Sequence, residues 1–231
     1  NPNYDGVTVN NPSNEVYDGK EHKWSPTVAD KEENALVEGT DYEVAYSTED
    51  FTNVTGTITV TITGIGNYTG TVTRTYEITP KAYTVTTESD SKVYDGNALT
   101  AGGKIEGIVE GETYGFTITG AQTDVGSSDN IYDLKWTGSA KESNYEHGKD
   151  SIGTLTVKNQ SIDPGTEEKP NPDYKGVKVN SPSDSVYDGK EHKWSPTVAD
   201  KEGNALVEGT DYEVAYSTED FTNVTGTITV T

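Results

Sequence analysis

The residues best suited to chemistry are three Tyr-Asp-Gly triplets: Tyr17-Asp18-Gly19, Tyr94-Asp95-Gly96 and Tyr187-Asp188-Gly189. A ring, a carboxylate and a glycine could form a ligand contact or a cation-holding loop. The same residues suit a structural turn, in which Asp accepts backbone N–H groups, Gly takes positive φ and Tyr packs. The triplet recurs in both module types of the chain, which favours the turn. Three tryptophans, Trp24, Trp136 and Trp194, are the candidate ligand-contacting residues. An indole near tyrosines can stack on a sugar ring, and it can equally fill a core or a domain joint. Trp24 stands in the polar run Glu21-His22-Lys23-Trp24-Ser25-Pro26, at a strand start.

Other chemistries find little material. The acidic runs 88–91 and 127–130 offer oxygens to Ca²⁺ but lack the D-x-[DN]-x-[DN]-G spacing, and they read as solvated loops. There is no Cys, so disulfides, thiolate metal sites and Cys nucleophiles are excluded. The histidines are only His22, His147 and His192, too few for a His-based cluster. No glycine-rich phosphate loop precedes a helix, and no convergent carboxylate pair is legible. No catalytic residue, metal or cofactor is therefore assigned, and the chain is not expected to be an enzyme.

The charge balance bounds the partners. Lys and Arg number 17 against 39 Asp and Glu, a net charge of −22. Such a surface repels phosphates, so neither nucleic acid nor an anionic membrane is expected as a partner. No apolar run approaches the roughly 20 residues that cross a bilayer. A hydrophobic fraction of 30% is low enough to raise disorder, yet 15 Tyr, 3 Trp and 3 Phe are too many rings for a solvated tail. The absence of Met predicts a processed or excised piece.

The elements that position these residues follow from an internal repeat. Residues 1–61 and 171–231 align without gaps at an offset of 170 and differ at seven positions. Asn3, Asp5, Thr8, Asn11, Asn14, Glu15 and Glu33 become Asp173, Lys175, Lys178, Ser181, Asp184, Ser185 and Gly203. Near-identity over so long a period points to duplication within an array. Between the copies, residues 82–157 share Val93-Tyr94-Asp95-Gly96 with Val16-Tyr17-Asp18-Gly19 and then diverge. The expected domains are a type 1 module at 1–80, a type 2 module at 81–160, a linker at 161–170 and an incomplete second type 1 copy at 171–231. Two Pro and four charges mark the linker. Thr79-Pro80-Lys81 leaves almost no slack, which predicts a stiff joint between the first two modules. The second copy stops at the equivalent of Thr61, so residues 62–80 have no counterpart there.

Alternation places the strands. Over 54–63, Val54, Gly56, Ile58, Val60 and Ile62 share one parity and threonines hold the other. The Thr row could pair with itself, but a solvent face accounts for it without exposing apolar groups. A turn at Ile65-Gly66-Asn67-Tyr68 and a return run over 70–79 complete a hairpin. The same period appears at Tyr42-Val44-Tyr46 and, in the middle module, at Tyr114-Phe116-Ile118, Tyr132-Leu134-Trp136 and Leu155-Val157. Residues 30–39 could be a short helix, capped by Asp30 with Glu33 and stopped at Gly39. The second copy carries Gly203-Asn204 there, which suits a hairpin turn better. The fold class expected is all-β, as tandem small β-sandwich modules in an elongated array. The alternative is a β-grasp-like module with one short helix.

A resemblance enters at these residues. Val16-Tyr17-Asp18-Gly19-Lys20, Val37-Glu38-Gly39-Thr40-Asp41-Tyr42 and Ile62-Thr63-Gly64-Ile65-Gly66-Asn67-Tyr68-Thr69-Gly70-Thr71 resemble a repeat of Gram-positive bacterial surface proteins. Lys92-Val93-Tyr94-Asp95-Gly96-Asn97-Ala98-Leu99-Thr100 with Thr123-Asp124-Val125-Gly126 is similar to the mostly-β, glycine-rich MBG/YDG adhesin repeats. The resemblance covers nearly the whole chain and is specific for repeat type rather than for a ligand. It implies Ig-like or β-grasp-like modules of an exported, wall-attached adhesin, hence an extracellular location at the bacterial cell surface. The function implied is a structural spacer that projects a binding head, each module contacting the neighbouring repeats of the same chain. One alternative is that the repeats bind a host surface glycan, mucin or extracellular-matrix protein through Trp24, Trp136 and Trp194. Another is self-association through an open sheet edge of the second copy. Proteins of this kind also carry Lys–Asn cross-links, for which Lys81 or Lys92 with Asn159 are the available placements.

Overall fold

A Thr-rich alternation builds the longest strand pairing in the chain. A computed structural model describes residues 6–231, so Asn3 and Asp5 lie outside the described residues. The first copy contributes β1 (Thr8–Val9), β2 (Glu15–Val16), β3 (Val28–Ala29), β4 (Tyr42–Tyr46), β5 (Thr57–Gly64) and β6 (Thr71–Thr79). β5 and β6 pair antiparallel, with Ile58 opposite Tyr76, Val60 opposite Arg74 and Ile62 opposite Val72. Ile58, Val60, Ile62, Tyr76 and Ile78 are buried, and Thr57, Thr71 and Thr73 on the other face are exposed. Burying β-branched side chains on one face while threonine keeps the outer face polar is what a period of two requires. β4 runs antiparallel beside β5, and β2 lies parallel beside β6, giving the sheet order β2-β6-β5-β4. β1 and β3 form a separate antiparallel pair.

Residues 30–39 form no helix. The Asp30 carboxylate accepts the N–H groups of Glu32 and Asn34, both at 2.9 Å, and Ala29 bridges Ala35 antiparallel across the turn. Glu33 sits at φ 66°, a left-handed conformation that costs an L-residue with a Cβ about 1 kcal/mol or more. Gly203 takes the same place in the second copy at φ 94°, where glycine bears no such cost.

The middle of the chain adds β7 (Lys81–Thr87), β8 (Asp90–Val93), β9 (Gly103–Glu106), β10 (Gly115–Ile118), β11 (Gly126–Asp129), β12 (Tyr132–Lys135), β13 (Tyr145–His147) and β14 (Thr154–Lys158). β13 pairs parallel with β7, and β9 pairs antiparallel on its other side. β10 and β12 form a hairpin-like antiparallel pair. A three-stranded sheet runs in the order β11-β14-β8. A 3-10 turn over Glu142–Asn144 is the only helical element among the described residues. Strands account for 36% of the chain and helix for 1%, so the fold is all-β in class.

Two compact units emerge. The first holds the residues up to Asp90 with Thr100–Ala121 and Ser128–Leu155; the second holds Ser91–Leu99, Gln122–Ser127 and Thr156–Thr231. These units group residues by contact, whereas the repeats group them by sequence period. Within the second unit, residues 161–170 fold back on themselves. Thr166 and Lys169 exchange backbone hydrogen bonds, and Gly165 bridges Pro170. β15 (Lys178–Val179) and β16 (Val198–Ala199) reproduce the β1–β3 register. Tyr216 bridges Val230, as Tyr46 faces Val60 in the first copy.

Candidate functional site

The three triplets share one local geometry. Asp18 accepts the Lys20 N–H at 2.9 Å and lies 2.8 Å from His22 Nε2, with Gly19 at φ 78°. Asp188 does the same with Lys190 and His192, at 2.9 and 2.7 Å, and Gly189 has φ 78°. Asp95 accepts the Lys92 ammonium and the Asn97 N–H, with Gly96 at φ 77°. The Lys20 N–H followed by His22 holds Asp18 below the usual carboxylate range, and His192 followed by the Lys190 N–H does so for Asp188. Each carboxylate thus faces donors of its own turn. The tyrosines part company: Tyr17 is 3% exposed and Tyr187 is 60% exposed.

Tyr17 is buried because it belongs to a joint inside the first compact unit. Its hydroxyl donates to one oxygen of Glu112, and the Tyr145 hydroxyl donates to the other. The two rings meet edge to face, 5.5 Å between centroids and 81° between planes. Tyr145 also accepts the Val109 N–H at 3.1 Å and stacks on Trp136 at 5.3 Å. Tyr83 meets Trp136 edge-on and stacks on His147. Burial, then the hydrogen bond to Glu112, pushes the Tyr17 phenol up to about 12, and the same causes raise Tyr145 further.

A second set of polar contacts joins the same elements. Asn144 is fully buried; its amide donates to Asn53 Oδ1 and its oxygen accepts the Val54 N–H, both at 2.9 Å. Lys141 reaches the same Asn53 oxygen at 3.2 Å. Asp50 braces the loop beneath, accepting the N–H groups of Thr52 and Asn53 and the Asn53 amide. Buried polar groups satisfied on every side fix one relative placement of the segments that carry them.

The tryptophans occupy three different settings, and no ring contact joins them among the described residues. Trp136 lies in the joint. Trp24 is partly buried against the first-copy core; its N–H donates to the Tyr76 hydroxyl at 3.3 Å and its carbonyl accepts from Tyr46 at 2.9 Å. It lines a shallow cavity of about 220 Å³ with Ser13, Glu15, His22, Lys23 and Tyr76. Trp194 lines a groove of about 540 Å³ in the second copy, walled by 182–187 on one side and 222–230 on the other, with Tyr216 and Phe221 beside it.

Glu112, Asn144 and Asn53 carry the joint, and sequence reasoning assigned them no role. A signal for Glu112 existed: Val109-Glu110-Gly111-Glu112-Thr113-Tyr114 echoes Val37-Glu38-Gly39-Thr40-Asp41-Tyr42. The Glu112 and Thr40 N–H groups each close the same turn, on Val109 and Val37 respectively, at 3.2 Å. For the cross-link placements, Lys92 is held by Asp95 and the Asn97 carbonyl, Asn159 is exposed, and no hydrogen bond among the described residues links Asn159 to Lys81 or Lys92. No group of three or more His, Asp or Glu side chains able to hold a metal ion occurs among the described residues. No helix is long and apolar enough to cross a membrane. No protein-family model matches the chain, and no curated protein matches it.

Proposed function

We propose that this chain is a run of structural spacer modules, small Ig-like β-sandwiches in tandem, from an adhesin displayed on a Gram-positive cell wall. The observation that supports this reading is the joint at Tyr17, Glu112 and Tyr145. A spacer transmits position only if its modules resist bending at their junctions. Here hydroxyl–carboxylate bonds, an edge-to-face ring pair and a buried Asn144 tie first-copy residues to residues of the following module. The strongly acidic surface suits an exported rod, because like charge opposes collapse and association.

Small-angle scattering of the chain tests the reading: a rod-like distance distribution is expected, and a compact globular one overturns it. Glu112→Ala is expected to shorten and broaden that distribution. A second reading, binding of host glycan, mucin or matrix protein, draws on the indole of Trp24 beside the polar side chains of its shallow cavity. Binding on a glycan array that disappears in the double variant Trp24→Ala, Trp194→Ala would replace the spacer reading with this one.

A further inference from the structure

The two type 1 copies present the same surface in two states. In the first, β6 lies between β2 and β5. Its outer edge receives the Tyr17 N–H on the Thr79 carbonyl at 2.9 Å, and the Asn14 side chain accepts the Glu77 N–H at 2.9 Å. Its inward side chains Tyr76 and Ile78 are buried, and the Tyr76 hydroxyl donates to the His22 carbonyl. In the second copy the corresponding place is the groove of about 540 Å³. One wall is Ser185, Val186 and Tyr187, the counterparts of β2 and Tyr17; the other is Gly226 to Val230, the counterparts of Gly56 to Val60. Val186 is 88% exposed and Tyr187 60%.

We propose that this groove is a strand-acceptor site, and that its occupant is a separate extended polypeptide with the side-chain alternation of Thr71–Thr79. The warrant lies in the chain itself. Between the two copies the groove-forming residues differ only at Asn14→Asp184 and Glu15→Ser185. Asp184 keeps a carboxyl oxygen where Asn14 offers its amide oxygen to Glu77. The residues that hold β6 in the first copy are therefore repeated in the second. Both walls carry backbone groups that a strand can pair, parallel along 185–186 and antiparallel along 226–230. Main-chain pairing of this kind supplies affinity, and alternate side chains entering pockets supply selectivity. A tyrosine and an isoleucine two residues apart, preceded by Thr and Arg, would reach Trp194, Tyr216 and Ile228 as Tyr76 and Ile78 reach the first-copy core. The inference rests on comparing the copies and is independent of the spacer reading.

The test titrates the complete chain with a fluorescein-labelled synthetic peptide of residues 69–80. Saturable one-to-one binding is expected, with new hydrogen-exchange protection at 185–188 and 226–230. A peptide carrying Tyr76→Ser and Ile78→Asp should bind at least tenfold more weakly; altering the peptide leaves the folding of the chain untouched. Absence of binding, equal affinity for the altered or a scrambled peptide, or protection confined to the first copy would each overturn the proposal. So would a chain that is already dimeric by exchange of its own β6, since the occupant would then be a second copy.

Discussion

Tyr17 and Tyr145, far apart in sequence, donate their hydroxyls to the two oxygens of a single carboxylate, that of Glu112, while their rings meet edge to face at 5.5 Å. Both rings are buried, so removing the carboxylate leaves hydroxyl donors without an acceptor. Glu112→Ala should cost about 1–3 kcal/mol, the range for a buried polar group left unpaired. Glu112→Gln, which retains an acceptor oxygen, should cost less. Urea denaturation followed by tyrosine fluorescence measures both.

The repeated triplet gives an internal control. Tyr17→Ala should destabilise by about 3–5 kcal/mol, because it deletes a buried ring. Tyr187→Ala, at the identical sequence position of the other copy, should shift stability by no more than about 0.5 kcal/mol, as exposed substitutions do. Equal effects of the two would contradict the burial difference between them.

Stability should fall at both ends of the pH scale. Asp18, Asp30, Asp50 and Asp95 are held below the usual carboxylate range, each by hydrogen bonds from its own turn. In the unfolded chain these groups titrate near about 4. The unfolded state therefore takes up protons first, and the stabilisation present above that pH is lost as pH falls through the native values. Tyr17 and Tyr132 move the other way, up to about 12, by burial and then by hydrogen bonds to Glu112 and Asp150. Their contribution is complete below pH 10, where the phenol is protonated in both states. It is lost as pH rises from about 10 to 12, because the unfolded chain ionises first. Thermal melts across pH, with phenolate absorbance at 295 nm, report both limbs.

Glu33→Gly should stabilise the first copy. It relieves the left-handed strain at φ 66°, offset by the extra freedom glycine has when unfolded, for a net gain of up to about 1 kcal/mol. The reverse change, Gly203→Glu, should destabilise the second copy by a similar amount. Chemical denaturation of each variant decides the sign.

Local pattern and long-range pairing divide what the sequence reveals about the fold. The alternation over 54–63 and 70–79 locates β5 and β6 within a few residues, because period two is written in neighbouring side chains. The turn at 30–39 is readable from Gly203, since a glycine there reports a backbone that a helix would not take. β2 is different: two residues long, it pairs parallel with a strand more than sixty positions away, and no period betrays it. The candidate site divides in the same manner. Asp18 meets a donor two residues along the chain, so its role in a turn is a matter of local spacing. Tyr17 meets Glu112 across 95 residues, and Asn144 meets Val54 across 90. Spacing fixes which face a side chain takes but leaves its distant partner unspecified, which is why three tryptophans grouped by type lie in three different settings.

The groove in the second copy has a consequence for how the chain reaches its native state. One β6 faces two sets of residues able to hold it. Its own hairpin partner lies across a turn of a few residues, whereas the second copy lies about 150 residues downstream. Loop-closure entropy favours the nearby partner by about 2–3 kcal/mol. Chains refolded from denaturant should therefore send a minor fraction through a mispaired species, visible as a slow phase whose amplitude falls when free 69–80 peptide occupies the competing site first.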